Sequence, residues 1–278
     1  VGLSISEEPE PKLSKCQQCK IKAQALDAIW ETNKTQELIE NYVINLCEEL
    51  NLEEDYICVM TVSQYGNEVL YVIEHALLEP EELCYMLVDD CGVNPLNAMN
   101  ANWSVLIPDH KPPHQGPGQA VNTSAGEWGS LGPCDIPVKT VENLFQQLSK
   151  EKFDMIYWTG DIEPHDVWNF TIERNKGQIQ EIFDLFKKYF PDTKVYPSVG
   201  NHEGIPEGSF PPMESQIPST YYNYWLRDEL SQQWPYWLGS QTADTIQKKL
   251  SYMVKPFPGF RIISFNNIYC YRDNYWLY

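Results

Sequence analysis

The sequence predicts an α+β chain in two parts, an all-helical unit over the first third and an α/β unit over the second half, with a proline-rich stretch between them. Three observations carry this. The hydrophobic spacing is helical from Ser14 to Cys91 and changes after Pro137 to alternating helix and short apolar strand. Six of the eight cysteines, Cys16, Cys19, Cys47, Cys58, Cys84 and Cys91, fall in the first part, leaving Cys134 and Cys270 beyond it. Residues 1 to 93 also hold 19 acidic side chains against 5 lysines, a net of −14 out of −19 for the whole chain. A length of 278 residues suits two domains. The absence of a long uninterrupted apolar run argues against a membrane span, and the acidic balance would repel a phosphate backbone, so no nucleic-acid partner is expected.

In the first part, SKCQQCKIKAQALDAIWET places Cys16, Cys19, Ile21, Ala25, Leu26 and Ile29 near helical spacing. TQELIENYVINLCEEL repeats the period from residue 35. An acidic turn at Glu53 to Asp55 precedes DYICVMTVSQYGNEVLYVIEHALL, and PEELCYMLVDDC makes a short fourth helix. A unit of this size has a marginal core, so crosslinks matter. Six cysteines allow 15 pairings. Cys47 and Cys58 flank the turn between helices two and three, and joining them staples a hairpin. Antiparallel packing of helices one and four then gives Cys16–Cys91 and Cys19–Cys84, provided the last helix bends or ends before Cys91. Zinc at Cys16-x-x-Cys19 is the competing reading, but no second C-x-x-C or histidine pair completes four ligands.

This cysteine spacing on four amphipathic helices, over residues 12–93, resembles the saposin B-type domain. The resemblance implies a helical leaf that opens an apolar face to sphingolipid and membrane surfaces. Residues 94–133 follow as a linker, with Pro95, Pro108, Pro112, Pro113, Pro117 and Pro133 breaking any helix or central strand. Asp109, His110 and His114 lie in it, without a strand end or helix to fix them as metal ligands.

Residues 134–278 read as the second domain. VKTVENLFQQLSK is a helix, FDMIYW a buried strand, ERNKGQIQEIFDLFKKYF a helix and KVYPSV a second strand, which makes a β-α-β unit with parallel strands. Each strand runs into a polar signature, Thr159-Gly160-Asp161 and Gly200-Asn201-His202-Glu203. Loops at the carboxyl ends of neighbouring parallel strands converge, so Asp161 and Asn201 are expected close together.

The GD and GNH pair, each at a strand end and one helix apart, resembles the calcineurin-like metallophosphoesterases. The implied architecture is a partial α/β metallophosphoesterase sandwich, and the implied chemistry is phosphate ester hydrolysis. Longer stretches, FDMIYWTGDIEPHDVW, VYPSVGNHEGIPEGSFPP, PGFRIISFNN and YCYRDNYWL, resemble the acid sphingomyelinases, which also begin with a saposin domain and a proline-rich linker. On that resemblance Asp161 bridges two zinc ions and Asn201 binds one of them. His202 contacts the scissile phosphate of sphingomyelin, His165 protonates the departing ceramide alkoxide, and Asp273 orients His165. A metal-activated water would attack phosphorus while both ions neutralise the phosphoryl oxygens.

The chain departs from that pattern. It lacks the family's D-x-H triplet, since Asp109-His110 is adjacent, and no histidine follows His202, so the lone histidine and the GH-x-H motif are absent. Two ligands remain, one of them a weakly donating amide. The expectation is that this shortened chain is inactive; the alternative is a non-catalytic lipid-binding protein. Sequons at Asn33, Asn102, Asn122 and Asn169, with the cysteine density, point to a glycosylated protein of the secretory route, secreted or lysosomal. VGLSISEEPEPK is no signal segment, so a signal peptide is expected to have been removed or omitted. Cys134 and Cys270 have no legible partner.

Overall fold

The computed structural model describes residues 13–32, 35–76, 80–88, 91, 127–129, 135–213, 217–271 and 273–277. The linker histidines His110 and His114, the sequons at Asn33, Asn102 and Asn122, and Cys134 lie outside them. By contact the chain divides into two compact units. One comprises residues 1–62 and 73–108, the other residues 63–72 and 109–278.

The first unit is helical. It contains α1 (Lys15–Thr32), α2 (Gln36–Glu49), both ends of α3 (Asp55–Ala76) and α4 (Pro80–Leu87). Cys19, Ala23, Ile39, Leu46, Leu50, Ile57, Cys84 and Val88 form its buried interior. Asn51 takes a left-handed φ of 48° just past α2, a conformation that asparagine tolerates better than most residues, and this turns the chain toward α3. Asp55 then opens α3 with a negative charge at the positive end of the helix dipole.

The disulfides are Cys16–Cys91, Cys19–Cys84 and Cys47–Cys58, the pairing expected from the helix spacing. Their unequal spacing is accommodated because α4 stops at Leu87, before Cys91. Polar ties reinforce α1 against α2: the Tyr42 hydroxyl donates to the Lys22 carbonyl at 2.8 Å, and Lys22 pairs with Glu49.

The second unit is mixed α/β. Helix α5 (Val138–Leu148) leads to β1 (Ile156–Trp158), and α6 (Ile172–Tyr189) crosses over to β2 (Val195–Pro197), which pairs with β1 in parallel. Thr171 caps α6, its hydroxyl accepting from Arg174 N at 3.2 Å. Asn175, Ile179, Ile182, Phe183 and Phe186 recur on one face, so that face is buried. Phe145 of α5 packs on Phe186 with ring centroids 4.7 Å apart, and Trp158 meets the same ring edge-on at 4.9 Å.

The reading of FDMIYW as a buried strand needs correction. The strand is only Ile156–Trp158, and Tyr157 is 57% exposed. Trp158 faces α6, so the alternation of side chains along a strand sends Tyr157 to the other face, where its ring rests against Tyr196.

Beyond β2 come α7 (Tyr224–Gln233), the single turn α8 (Pro235–Leu238), α9 (Ala243–Lys249) and the hairpin β3 (Tyr252–Phe257) with β4 (Phe260–Ser264). Leu226, Leu230, Trp234, Trp237, Ile246 and Leu250 complete the core under α6. Arg227 is 1% exposed and donates to the Tyr222 and Lys248 carbonyls at 3.1 and 2.9 Å, so a buried cation closes the carboxyl end of α9. The Ser63–Val72 stretch of α3 groups with this unit. There Tyr71 meets Tyr221 and Trp276, and Glu68 is buried beside Ser209 and Trp276.

Candidate functional site

The parallel strands deliver two loops to one place. After β1, Gly160 has φ +81° and Asp161 a left-handed φ of +60°; after β2 come Gly200, Asn201 and His202. The loops touch so closely that side chains cannot fit between them. A Cβ on Gly160 would stand 2.8 Å from the Ser198 carbonyl oxygen and collide with Gly200 N, and a Cβ on Gly200 would collide with the Asp161 carboxylate. The convergence of Asp161 and Asn201, 40 residues apart in sequence, is therefore built from two glycines at strand ends. Asp161 Oδ1 also accepts from His202 N at 3.4 Å.

Glu203 closes the arrangement from beneath. It is 2% exposed, its Oε1 accepts from Ile162 N at 2.9 Å and its Oε2 from Gly200 N at 2.7 Å. Burial raises its carboxyl to about 7 against the pull of those two N–H donors, with Asp161 pushing it further up. Glu163 is 3% exposed and neither of its oxygens is hydrogen-bonded. Burial first, and the charges of Glu203 and Asp161 after it, hold Glu163 as the neutral acid, with its pKa at about 10.

The two histidines face each other with ring centroids 4.6 Å apart. His165 stands in the loop after β1 and is gripped twice by Asp135, which accepts from its backbone N at 2.8 Å and meets ring Nδ1 at 2.7 Å. His202 is 7% exposed, and its Nδ1 lies 3.2 Å from the Pro164 carbonyl. A carbonyl can only accept, so Nδ1 carries the hydrogen and Nε2 is the unprotonated nitrogen of the neutral ring. Burial, and then His165, lower the His202 pKa below the ordinary value.

Asn201 turns its amide Nδ2 to Glu207 and, at 3.5 Å, to the Tyr271 hydroxyl. Burial raises Glu207 to about 7, opposed by Asn201 and assisted by Asp273. Asp273 stands by Tyr271 and Glu207. Its segment is anchored by the fully buried Asn274, which bonds Phe210 N and the Phe210 and Ile268 carbonyls.

Asp161, Asn201, His202 and His165 thus come together, while the carboxylate paired with His165 is Asp135. Sequence reasoning missed Asp135, Glu203 and Glu207. Asp135 opens the short DIP run before α5, and only the folded β1 loop brings its partner, 30 residues on, within reach.

The donors present can be weighed against the zinc pair that the resemblance implied. Among the described residues, no three His, Cys, Asp or Glu side chains converge as a metal ion requires. Asp161 and Asn201 offer one carboxylate and one amide, which do not fit a two-metal centre.

Comparison with known proteins places these residues in context. The calcineurin-like phosphoesterase family matches residues 113–276, a span that holds both strand-end loops, Asp135 and Asp273. "Sphingomyelin phosphodiesterase 2" of Caenorhabditis elegans is 29% identical over 98% of this chain and 54% of its own length. "Sphingomyelin phosphodiesterase" of Homo sapiens is 28% identical over 86% of this chain and 44% of its own. The chain spans about half the length of the curated relatives it matches. With two strand-end loops that meet as this architecture requires, inside a match covering more than half of its residues, the chain belongs to the calcineurin-like phosphoesterase family.

Proposed function

We propose that the chain is the phosphocholine-recognising part of a sphingomyelin phosphodiesterase of the secretory route, with α1 to α4 acting as a saposin-type unit that presents lipid. The observation that carries the reading is the paired loop site, where Asp161, Asn201 and His202 sit with His165 clamped by Asp135. Relatives that cover nearly the whole chain and bear the name sphingomyelin phosphodiesterase support it. In this reading His202 meets the phosphate and His165 faces the leaving oxygen, its Nδ1–H held on Asp135 so that Nε2 is the atom turned to the ligand. Divalent metal, zinc in the full family pattern, would contribute an activated water, but Asp161 and Asn201 alone do not fit such a centre.

A nuclear magnetic resonance titration with phosphocholine tests the reading. The His165 and His202 ring signals are expected to shift together, with little change across α1 and α2. Rings unmoved at millimolar phosphocholine would remove the basis for this assignment.

A non-catalytic, lipid-binding role is favoured by the short donor set and by the apolar side chains that the helical unit leaves exposed, among them Ile21, Leu38, Tyr56, Val59 and Met60. Residues 1 to 93 carry −14, and anionic lipid repels them until carboxylates take up protons near pH 4 to 4.5. Flotation of the chain with anionic vesicles should therefore rise as pH falls from about 7 toward 4.5. Flat or falling binding over that interval would deny the acidic face this role.

A further inference from the structure

The two loops that carry Asp161 and Asn201 leave their strands before any ladder bond can join them, since β1 ends at Trp158 and β2 at Pro197. Backbone N–H groups in such a place need acceptors from elsewhere. Ile162 N, next to Asp161, and Gly200 N, next to Asn201, are both satisfied by one side chain, the 2%-exposed carboxylate of Glu203, at 2.9 and 2.7 Å. Glu203 can reach both because the chain doubles back after Asn201, whose carbonyl accepts from Gly204 N at 3.4 Å and Gly208 N at 3.0 Å. The glycine contacts show how closely the loops approach: a Cβ added at Gly200 would collide with the Asp161 carboxylate.

We propose that Glu203 is a positioning residue, a two-headed strut that locks the Asp161 loop to the Asn201 loop and sets the spacing of Asp161, Asn201 and His202. The functional part of this rests on the phosphocholine reading above; the strut rests on the hydrogen bonds. A carboxylate is the side chain suited to the place, because it offers two acceptors and no donor when ionised. A glutamine keeps the shape but offers one acceptor, and turns an N–H₂ group toward the other loop's N–H.

Amide hydrogen exchange decides the strut on the unmodified chain first. Ile162 and Gly200 should exchange as slowly as Ile156 and Ser198, which are bonded between the strands to Lys194 and Trp158 carbonyls at 2.9 and 2.8 Å. Exchange at the rate of open loop amides overturns the proposal without any variant. In Glu203→Gln at least one of the two amides should exchange about 10- to 100-fold faster, with Ile156 and Ser198 unchanged. Equal acceleration at all four positions would mean general destabilisation and also overturn it.

The same variant should bind phosphocholine about 10-fold more weakly than the unmodified chain. Unchanged affinity despite loosened amides removes the positioning role. Failure of the unmodified chain to bind phosphocholine overturns the functional reading alone, while the exchange pattern still upholds or overturns the strut.

Discussion

Supplied with zinc at pH 5, the 278-residue chain is expected to release phosphocholine from sphingomyelin no faster than a zinc-free blank. That is at least about 10³-fold below a family member with the full donor set. Two-metal hydrolysis needs both ions held about 3.5 to 4 Å apart, one to activate water and both to neutralise the phosphoryl oxygens. One bridging carboxylate cannot hold two ions. Asp161 and Asn201 are the donors at the paired loops, and the Asn201 Nδ2 is engaged by Glu207 and Tyr271. His165 and His202 are positioned, but without an activated nucleophile they have nothing to assist. Turnover and zinc content should be measured together, and Asp161→Ala should change neither. If the chain does turn over and Asp161→Ala abolishes it, other side chains have replaced the missing ligands. His110 and His114 are then the first to substitute.

The sequence carried the parts of the fold that depend on periodicity and on paired landmarks. Cysteine spacing on helices led to all three disulfides, and two apolar strands flanking an amphipathic helix led to the parallel pair and to the meeting of Asp161 with Asn201. It did not carry contacts set by side chains reaching across loops. Asp135 grips His165 from before α5, and Glu203 spans two N–H groups that belong to different loops. Neither has a periodic signature, because each depends on where loops end rather than on a repeating face. The helices α7 to α9 were also silent in the sequence, since aromatic residues such as Trp234 and Trp237 bury themselves without a clean helical stripe. The exposure of Tyr157 shows the reverse error. An apolar run reads as buried on both faces, although α6 covers only one of them.

The second large effect concerns stability and pH. The chain is expected to be more stable at pH 5 than at pH 8, with the transition of the second unit moving down by roughly 5 to 10 °C across that interval. Glu163, held as the neutral acid with its pKa at about 10, is one cause, and Glu68 is another. Glu68 is 2% exposed, its oxygens complete no hydrogen bond although Ser209 and Trp276 lie alongside, and burial raises its pKa from 4.5 to about 8. The folded chain therefore holds a proton there that the unfolded chain has released. Between pH 4.5 and 8 the native state binds more protons than the unfolded state, so stability falls as pH rises. Below 4.5 both states are protonated and the contribution is whole; above 8 both are ionised and it is gone. The loss is on the order of 3 kcal/mol for Glu68. Glu203 and Glu207, raised to about 7, act in the same direction. His202 acts in the opposite one, because its lowered pKa makes the folded chain resist protonation below 6.5. One imidazole does not offset four buried carboxyls, Glu68, Glu163, Glu203 and Glu207. Glu68→Gln supplies the test: the variant should match the unmodified chain near pH 5 and exceed it at pH 8, removing the Glu68 share of the slope and leaving that of the other buried carboxyls. Melting temperatures that stay level or climb from pH 5 to 8, or a Glu68→Gln variant that keeps the full slope, would show that Glu68 is not held neutral in the folded chain.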